Sequence, residues 1–382
     1  MSTPIAYSSL DPGAPQVIGN NPLSVLNMLI CCLVTGYIGK PGAGWSIYSF
    51  DPVNCTLVLQ QGPGGTTSTS QKYLIISQPK VVTSTAAWTT GVFAFDVRGA
   101  ENMSGSTPVN VFPSTNNNSY WCFMGGRTSS VGVDPSVVLN YNSNIKWGLV
   151  ADDRGLYVKF EPLLLMPGGA YLGGKAIYFF GDLANQIQND SSCIIYSNWD
   201  VTATSATATY GKFAFNDTTQ LAGVSNTTGF YADPFISMNN FGGVNAGLWA
   251  SRQISQNFNP INLGTESTDG LFLQTATINT LGVDAFNKTV TLSNLFLYEQ
   301  NGAIRGTFPG LYVPSTNLFN YPAVAADIII SVNNIPMQFW HYTTAGLSAT
   351  VPNTEVNSLS TFGTGGRGDD LRVFIRLDSW GR

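Results

Sequence analysis

Charge is scarce in this chain. Asp, Glu, Lys and Arg make up 10% of its 382 residues, against about 25% in an average soluble domain. The 17 Lys and Arg set against 22 Asp and Glu leave a net charge of −5, and without a basic cluster there is no footprint for phosphate, which excludes nucleic-acid recognition. Histidine occurs once, at His341. No metal site needing two imidazoles can be built, and any Ser/His or Cys/His catalysis would have to use that one residue, which sits among aromatics in Phe339-Trp340-His341-Tyr342 and reads as a packed strand histidine. Cys31, Cys32, Cys55, Cys122 and Cys193 form an odd set with no CxxC pair. That fits neither a disulfide framework nor a zinc knuckle, so most read as buried thiols. Long apolar runs are missing as well. The longest, Leu23 to Val34, is interrupted by Ser24 and Asn27 and is shorter than the ~20 residues of a membrane helix, so no membrane insertion is expected. The start MSTPIAYSSLDPGAP has no basic stretch followed by an apolar run, so no secretory signal peptide is expected either.

Catalytic motifs are equally thin. There is no G-x-S-x-G elbow. Paired carboxylates for glycoside hydrolysis would have to come from the scattered Glu101, Glu161, Glu266, Glu299 and Glu355, which read as ordinary turn or strand residues. The Gly-rich run Gly36 to Gly44 follows a helix rather than preceding one, and Pro41 removes an amide donor. It reads as a helix cap turning into a strand at Trp45, not as a phosphate loop. Arg367-Gly368-Asp369 lies in a Gly-rich stretch where turn chemistry accounts for it. Asp152/Asp153 and Asp369/Asp370 lack the spaced oxygen ligands of a calcium loop. No cofactor, metal or catalytic residue is expected, and the chain is read as a non-enzyme.

What is present is apolar and neutral: 43% hydrophobic residues and 12% aromatics, with 40 glycines. With few ions, the surface must consist of Asn, Ser, Thr, Gln and Gly. Part of it is expected to be hidden against neighbours, because burying neutral surface avoids the several kcal/mol per ion that desolvating an unpaired charge costs. The length suggests two or three units at roughly 100–200 residues each.

Residues 1–20, with Pro4, Pro12, Gly13 and Pro15, read as an extended arm reaching a neighbour rather than as part of a packed element. Asn21 and Pro22 suit an N-cap and first helical position, with Gly36 just past the apolar run, which predicts one helix at about 22–35. From Trp45 onward, short β-branched and aromatic runs separated by Gly, Pro, Asn and Ser clusters predict strands. Hairpins are placed at Asp153-Arg154-Gly155, Asn301-Gly302 and Asn333-Asn334. Near the end, Leu371, Val373, Ile375 and Leu377 alternate with Arg372, Phe374 and Arg376, predicting a half-buried strand. Gly91–Asp96 faintly echoes Gly211–Asn216. The predicted class is mainly β: antiparallel β-sandwich-like units with one short N-terminal helix and an extended N-terminal arm. The predicted division is 1–20, arm; 21–190, helix plus β-rich domain; and 191–382, a second β-rich domain.

Several patches carry a resemblance: Tyr7-Ser8-Ser9-x-Asp11-Pro12-Gly13-Ala14-Pro15, Cys32-Leu33-Val34-x-Gly36-Tyr37 and Lys40-Pro41-x-Ala43-Gly44-Trp45. Others are Trp147-x-Leu149-Val150-Ala151-Asp152-Asp153-Arg154, Tyr178-Phe179-Phe180-Gly181-Asp182 and Ile304-Arg305-Gly306-x-Phe308-Pro309-Gly310-Leu311-Tyr312. On these the chain resembles uncharacterised virion structural proteins of tailed bacteriophages. The resemblance implies a tail or baseplate component in the virion, assembled in the host cytoplasm, with other copies of itself and other virion proteins as partners. No catalytic residues come with it, and residues 200–290 show no such patch. Two alternatives stay open: a receptor-binding module for host surface glycans, or a head decoration or capsid protein. A polysaccharide-degrading enzyme is a third, weaker one. Subunit-contact candidates are Tyr7, Asp11, Pro12 and Pro15 in the arm. Arg305, Phe308, Pro309 and Tyr312 form a second group, where a Pro-Gly turn is expected to present aromatics.

Overall fold

Pro22, whose ring presets the helical φ, opens the helix α1 (Pro22–Ile30) at its first position. The Asn21 side chain makes no capping bond. Ser24 ties this end together instead: its hydroxyl accepts the Ile18 N–H at 2.9 Å and donates to the Asn21 carbonyl at 2.5 Å. The predicted span of 22–35 is helical throughout, but beyond Ile30 it widens into a π turn, Cys31–Thr35. The returning Gly-rich run explains this ending. The carbonyls of Cys31, Cys32 and Leu33, which a helix end leaves unpaired, accept the N–H groups of Gly36, Ala43 and both Gly44 and Trp45, at 2.7–3.1 Å.

The structure is a computed structural model that describes residues 2–19, 21–63, 71–82, 92–113, 119–124, 144–161, 176–184, 192–198, 234–239, 248–251, 272–273, 292–299, 304–314, 328–343 and 370–381. Thirteen strands form the first sheet: β1 (Ile5–Ser8), β2 (Val17–Ile18), β3 (Ser46–Asp51), β4 (Thr56–Gln60), β5 (Tyr73–Val82), β6 (Val92–Ser104), β7 (Thr107–Phe112), β8 (Tyr120–Met124), β9 (Asn144–Asp152), β10 (Gly155–Glu161), β11 (Ala176–Asp182), β12 (Cys193–Asn198) and β13 (Pro234–Met238). Its main path runs β1-β9-β10-β11-β12-β8-β6-β5-β4-β3. The second sheet has seven: β14 (Leu248–Ser251), β15 (Phe272–Leu273), β16 (Leu292–Glu299), β17 (Ile304–Pro314), β18 (Ile328–Val332), β19 (Ile335–Thr343) and β20 (Asp370–Arg376), ordered β15-β14-β16-β17-β20-β19-β18. Among the described residues all pairings but the short parallel β14–β15 pair are antiparallel, and the protein is mainly β as expected.

The sheets pack on one core, giving the sandwich-like arrangement. Trp340, Val373 and Ile375 of the second sheet share a continuous apolar cluster with Trp147, Tyr157, Tyr178 and Phe179 of the first. Aromatic rings fill much of it: Trp121 stacks on Tyr178 at 5.7 Å and Phe112 on Phe180 at 6.3 Å, contacts worth about 0.5–1.5 kcal/mol each beyond their burial. The sheets also meet through backbone. Ala184, just after β11, exchanges two hydrogen bonds with Thr307 of β17, both 2.9 Å. Gly306 has φ 155°, and a Cβ there would lie 2.8 Å from the Ala184 carbonyl oxygen, so only glycine permits that approach.

Several expectations change. Residues 1–20 are extended in backbone but lie on their own sheet: β1 pairs with β9 from Ile5↔Ala151 to Ser8↔Gly148, and β2 continues along β9. The division at 190/191 cuts through the first sheet, because β11 pairs with β12 (Asp182↔Cys193) and β12 with β13. The change of sheet falls between Met238 and Leu248. The C-terminal strand is buried on both faces where described: Val373 and Ile375 join the main core, while Phe374 closes a smaller cluster with Met337 and Phe339. Asp153-Arg154 and Asn333-Asn334 are hairpin turns as read, the latter with φ of 51° and 64° at the two asparagines. The Asn301-Gly302 turn and the Gly211–Asn216 echo lie outside the described residues, although β16 and β17 pair antiparallel on either side of the former.

Candidate functional site

The first 50 residues contain two charged side chains, Asp11 and Lys40, and the fold brings them together. The β1 ladder ends at Ser8, and the chain turns back, with the Asp11 N–H bonded to the Ser8 carbonyl and the Ala14 N–H to that of Asp11. One carboxylate oxygen of Asp11 then accepts three donors: the Ser8 N–H at 2.7 Å, the Tyr37 hydroxyl at 2.6 Å and the Lys40 ammonium at 2.6 Å. Lys40 also donates to the Ala6 carbonyl at 2.6 Å and sits 5.9 Å from the centre of the Tyr7 ring. Tyr7 inclines against Tyr37 at 5.9 Å and donates its hydroxyl to the Pro41 carbonyl at 2.7 Å. Burial raises the pKa of both phenols, and the bond to Asp11 adds to the shift at Tyr37.

Two further anchors fix the same segment. The Trp147 indole donates to the Pro15 carbonyl at 3.1 Å. At the other end, the Ser2 hydroxyl donates to the Asp153 carboxylate and accepts the Asp153 N–H. What remains outward is a pair of interlocked turns. Leu10 is 66% exposed and Ile38 is 75% exposed, and a Cβ on Gly13 would stand 2.9 Å from the Ile38 side chain. Pro12 is exposed between them and Pro15 is half-buried.

The arm candidates therefore divide. Tyr7, at 2% exposure, belongs to the core of its own chain, where the β1–β9 ladder places it. Asp11 is the hub of the anchor, and Pro12 belongs to the outward turn. The second group is internal too. Phe308 is buried against Phe179 (5.6 Å) and Tyr196 (6.4 Å), and the buried Pro309 accepts the Tyr157 hydroxyl at 3.0 Å through its carbonyl. Tyr312 lies half-buried beside Phe374 and Met337, and Arg305 is half-buried. Phe308 and Pro309 thus join the two sheets, while Tyr312 packs within the second.

A second polar assembly lies inside the first sheet. Arg154 binds Asp182 through Nε at 2.7 Å and Nη2 at 2.5 Å, with side-chain exposures of 6% and 7%. Nη1 of Arg154 reaches the Gly62 carbonyl, while buried Gln61 donates to the Arg154 carbonyl at 2.6 Å and accepts the Lys72 N–H. Asp152 accepts the N–H groups of Arg154 and Gly155, closing the β9–β10 turn. Both aspartates of the 152/153 pair are thus engaged in turn and strap contacts. Neither the family models nor the curated proteins give a match to this chain.

No three His, Cys, Asp or Glu side chains converge on a possible metal position among the described residues. Glu101 accepts amide donors from Asn110 and Asn239 at 2.7 and 2.9 Å, and Glu266 and Glu355 lie outside the described residues. Cys32 and Cys193 are buried thiols, while Cys31 and Cys55 are only half-buried, and burial raises the Cys32 pKa. Tyr37 and Lys40 were not singled out from the sequence as site residues. The signal available was the isolation of Lys40 as the only cation near a lone Asp11. Chemically, this arrangement fixes a surface turn rigidly and holds two aliphatic tips in solvent.

Proposed function

We propose that this protein is a non-enzymatic structural subunit of a tailed-bacteriophage virion, in the tail or baseplate, that works by assembling with other copies and other virion proteins. The observation that supports this reading is the pair of exposed aliphatics, Leu10 and Ile38, on turns held by the Asp11 hub. In a chain with 10% charge, apolar groups displayed on a rigid support are what a partner surface would cover, since a preorganised contact loses little conformational entropy on binding. The anchored N-terminal segment is then a platform for contact and not a free arm.

Truncation of residues 1–20 would remove β1 and is a poor test. Leu10→Asp with Ile38→Asp changes only outward side chains. In cells producing the phage, the double variant is expected to fold like the wild type and to enter purified particles at least tenfold less, by quantitative mass spectrometry. Absence of the wild-type chain from particles overturns the reading. Equal incorporation of the double variant removes the platform from it.

A further inference from the structure

The strands at the ends of the two main paths are closed in different ways. β1 is four residues long and runs into the Asp11 turn. β3 has a register break at Tyr48 and ends on Asp51, and β15 has two residues. Short, bulged or charged strands of this kind discourage the addition of another strand. β18 has none of these devices. Ile328-Ile329-Ile330-Ser331-Val332 contains no charge and no proline, its register with β19 is unbroken, and among the described residues β19 is its only partner.

Hairpin geometry tells which groups face the open side. The two positive φ values at Asn333 and Asn334 mark a two-residue type I′ turn, so the flanking pair Val332↔Ile335 exchanges hydrogen bonds. Bonded and non-bonded pairs then alternate: Ile330↔Met337 is bonded, while Ser331↔Pro336 and Ile329↔Gln338 are not. Pro336, which has no N–H, stands at a non-bonded position, as it must. The backbone N–H and C=O of Ile329 and Ser331 therefore point away from β19, and the Ile329 side chain is 60% exposed.

We propose that this edge binds a second copy of the same chain, β18 pairing antiparallel with β18 of that copy about a two-fold axis through Ile330. This register overlaps all five residues. It sets Ile329 of each copy opposite Ser331 of the other, so that every outward donor meets an outward acceptor in four hydrogen bonds. The strand is neutral, so meeting its own copy brings no like charges together, and it offers no charge by which a foreign strand would be selected. A two-fold contact of this type also closes at two copies. The outer face supports the join: Ile330, Val332 and Ile335 lie half-buried against Met337, Phe339 and Phe374, and that apolar strip continues across the axis. The proposal deepens the assembly reading by naming one partner.

Light scattering on the full chain at micromolar concentration is expected to give twice 40.9 kDa. Ser331→Pro removes one outward donor per copy, two per dimer, without touching the β19 ladder, and weakens the dimer by about tenfold or more. Ile329→Lys places a charge at the edge and is expected to give monomer with an unchanged far-UV spectrum. Ile330 meets itself as a non-bonded pair at a Cα separation of about 4.5 Å, within disulfide range. Ile330→Cys is thus expected to form a covalent dimer under mild oxidation, while Ile329→Cys and the wild type, with its native thiols, do not. A monomeric wild type, a dimer indifferent to Ile329→Lys, or an Ile330→Cys variant that fails to cross-link overturns the proposal. Should Ser331→Pro not fold, the other two variants decide. A monomer found in phage particles overturns the strand pairing and leaves assembly standing. A dimer absent from particles does the reverse.

Discussion

Replacing Asp11 with alanine removes the acceptor shared by Ser8, Tyr37 and Lys40 in one step. The ion pair itself adds little, because Asp11 and Lys40 keep 21% and 28% of their side chains in water, and partly exposed pairs are worth about 0.2–1 kcal/mol. The larger loss comes from the Tyr37 hydroxyl and the Ser8 amide, since hydrogen bonds to a charged acceptor contribute about 1.5–3 kcal/mol each before water re-enters. Allowing for that re-entry, the segment should lose about 2 kcal/mol, or about thirtyfold in its local opening equilibrium. The loss is local, because β9 keeps its pairing with β10. Hydrogen exchange read on peptides covering residues 2–15 is therefore expected to accelerate about thirtyfold, while peptides from β10 and β11 keep wild-type rates. Asp11→Asn, which retains an oxygen acceptor but not the charge, should fall between. Exchange within threefold of wild type in Asp11→Ala would show that the β1 ladder alone holds the segment, and the hub would lose its role.

Phe308→Ala should destabilise by about 3–5 kcal/mol as a core truncation, measured by urea denaturation. A change under about 0.5 kcal/mol, the range of an exposed residue, would contradict its place between Phe179 and Tyr196. Gly310→Ala combines a φ of 66° with a Cβ only 2.3 Å from the Trp380 ring. It should cost about 2–4 kcal/mol in strain and displaced packing and release Trp380 from Tyr157, visible as a red-shifted fluorescence component. The hydrogen bond from Arg376 lowers the pKa of Asp378, so this group favours folding above the unfolded carboxylate value near pH 4 and loses that contribution as pH falls through its folded value. With Asp378 36% exposed, the effect is a few tenths of a kcal/mol after screening. Asp378→Asn should accordingly melt slightly below wild type at pH 7 and together with it at pH 2. A gap that persists at pH 2 would assign the effect to packing.

Local chemistry was legible in the sequence and long-range pairing was not. Pro22 and Gly36 bracket the helical segment because their constraints are intrinsic to the residues, and Asn333-Asn334 forms its turn because asparagine tolerates positive φ. The arm illustrates the opposite case. Four prolines and glycines between residues 4 and 15 suppress any periodic signal, yet Ile5 to Ser8 need only be extended to join β9, nearly 140 residues later, and nothing nearby announces that partner. Phe308 misled for a similar reason. A Pro-Gly pair normally marks an exposed turn, but Pro309 and Gly310 lie inside β17, where glycine makes room for Trp380 from the chain's last residues. Asn21 takes the cap position as read, but its side chain makes no capping bond, and the Ser24 hydroxyl ties that end of the helix to Ile18 and Asn21. The anchor could be half-read: two lone charges were visible, but not the β1 fold-back that sets them 2.6 Å apart.

Some of the few ions lie inside the molecule. Lys72, Arg154 and Lys159 are buried at 2%, 5% and 1% exposure, as are Asp152 and Asp182 at 5% each, so these ions are withdrawn from solvent. Arg154 is matched by Asp182, and Lys159 lies 5.3 Å from the Trp340 ring centre at the junction of the sheets. Removing one partner of such a pair leaves a buried charge uncompensated, so these ions fix geometry and do nothing for solubility. The pairs at Asp11–Lys40, Asp96–Arg98 and Arg376–Asp378 likewise bind charge to charge. What remains is a net charge of −5 over 382 residues, a modest repulsion between copies. The proposed contact between copies would therefore rest on shape, backbone edges and apolar tips, and both the open edge of β18 and the turn tips at Leu10 and Ile38 are features of that kind.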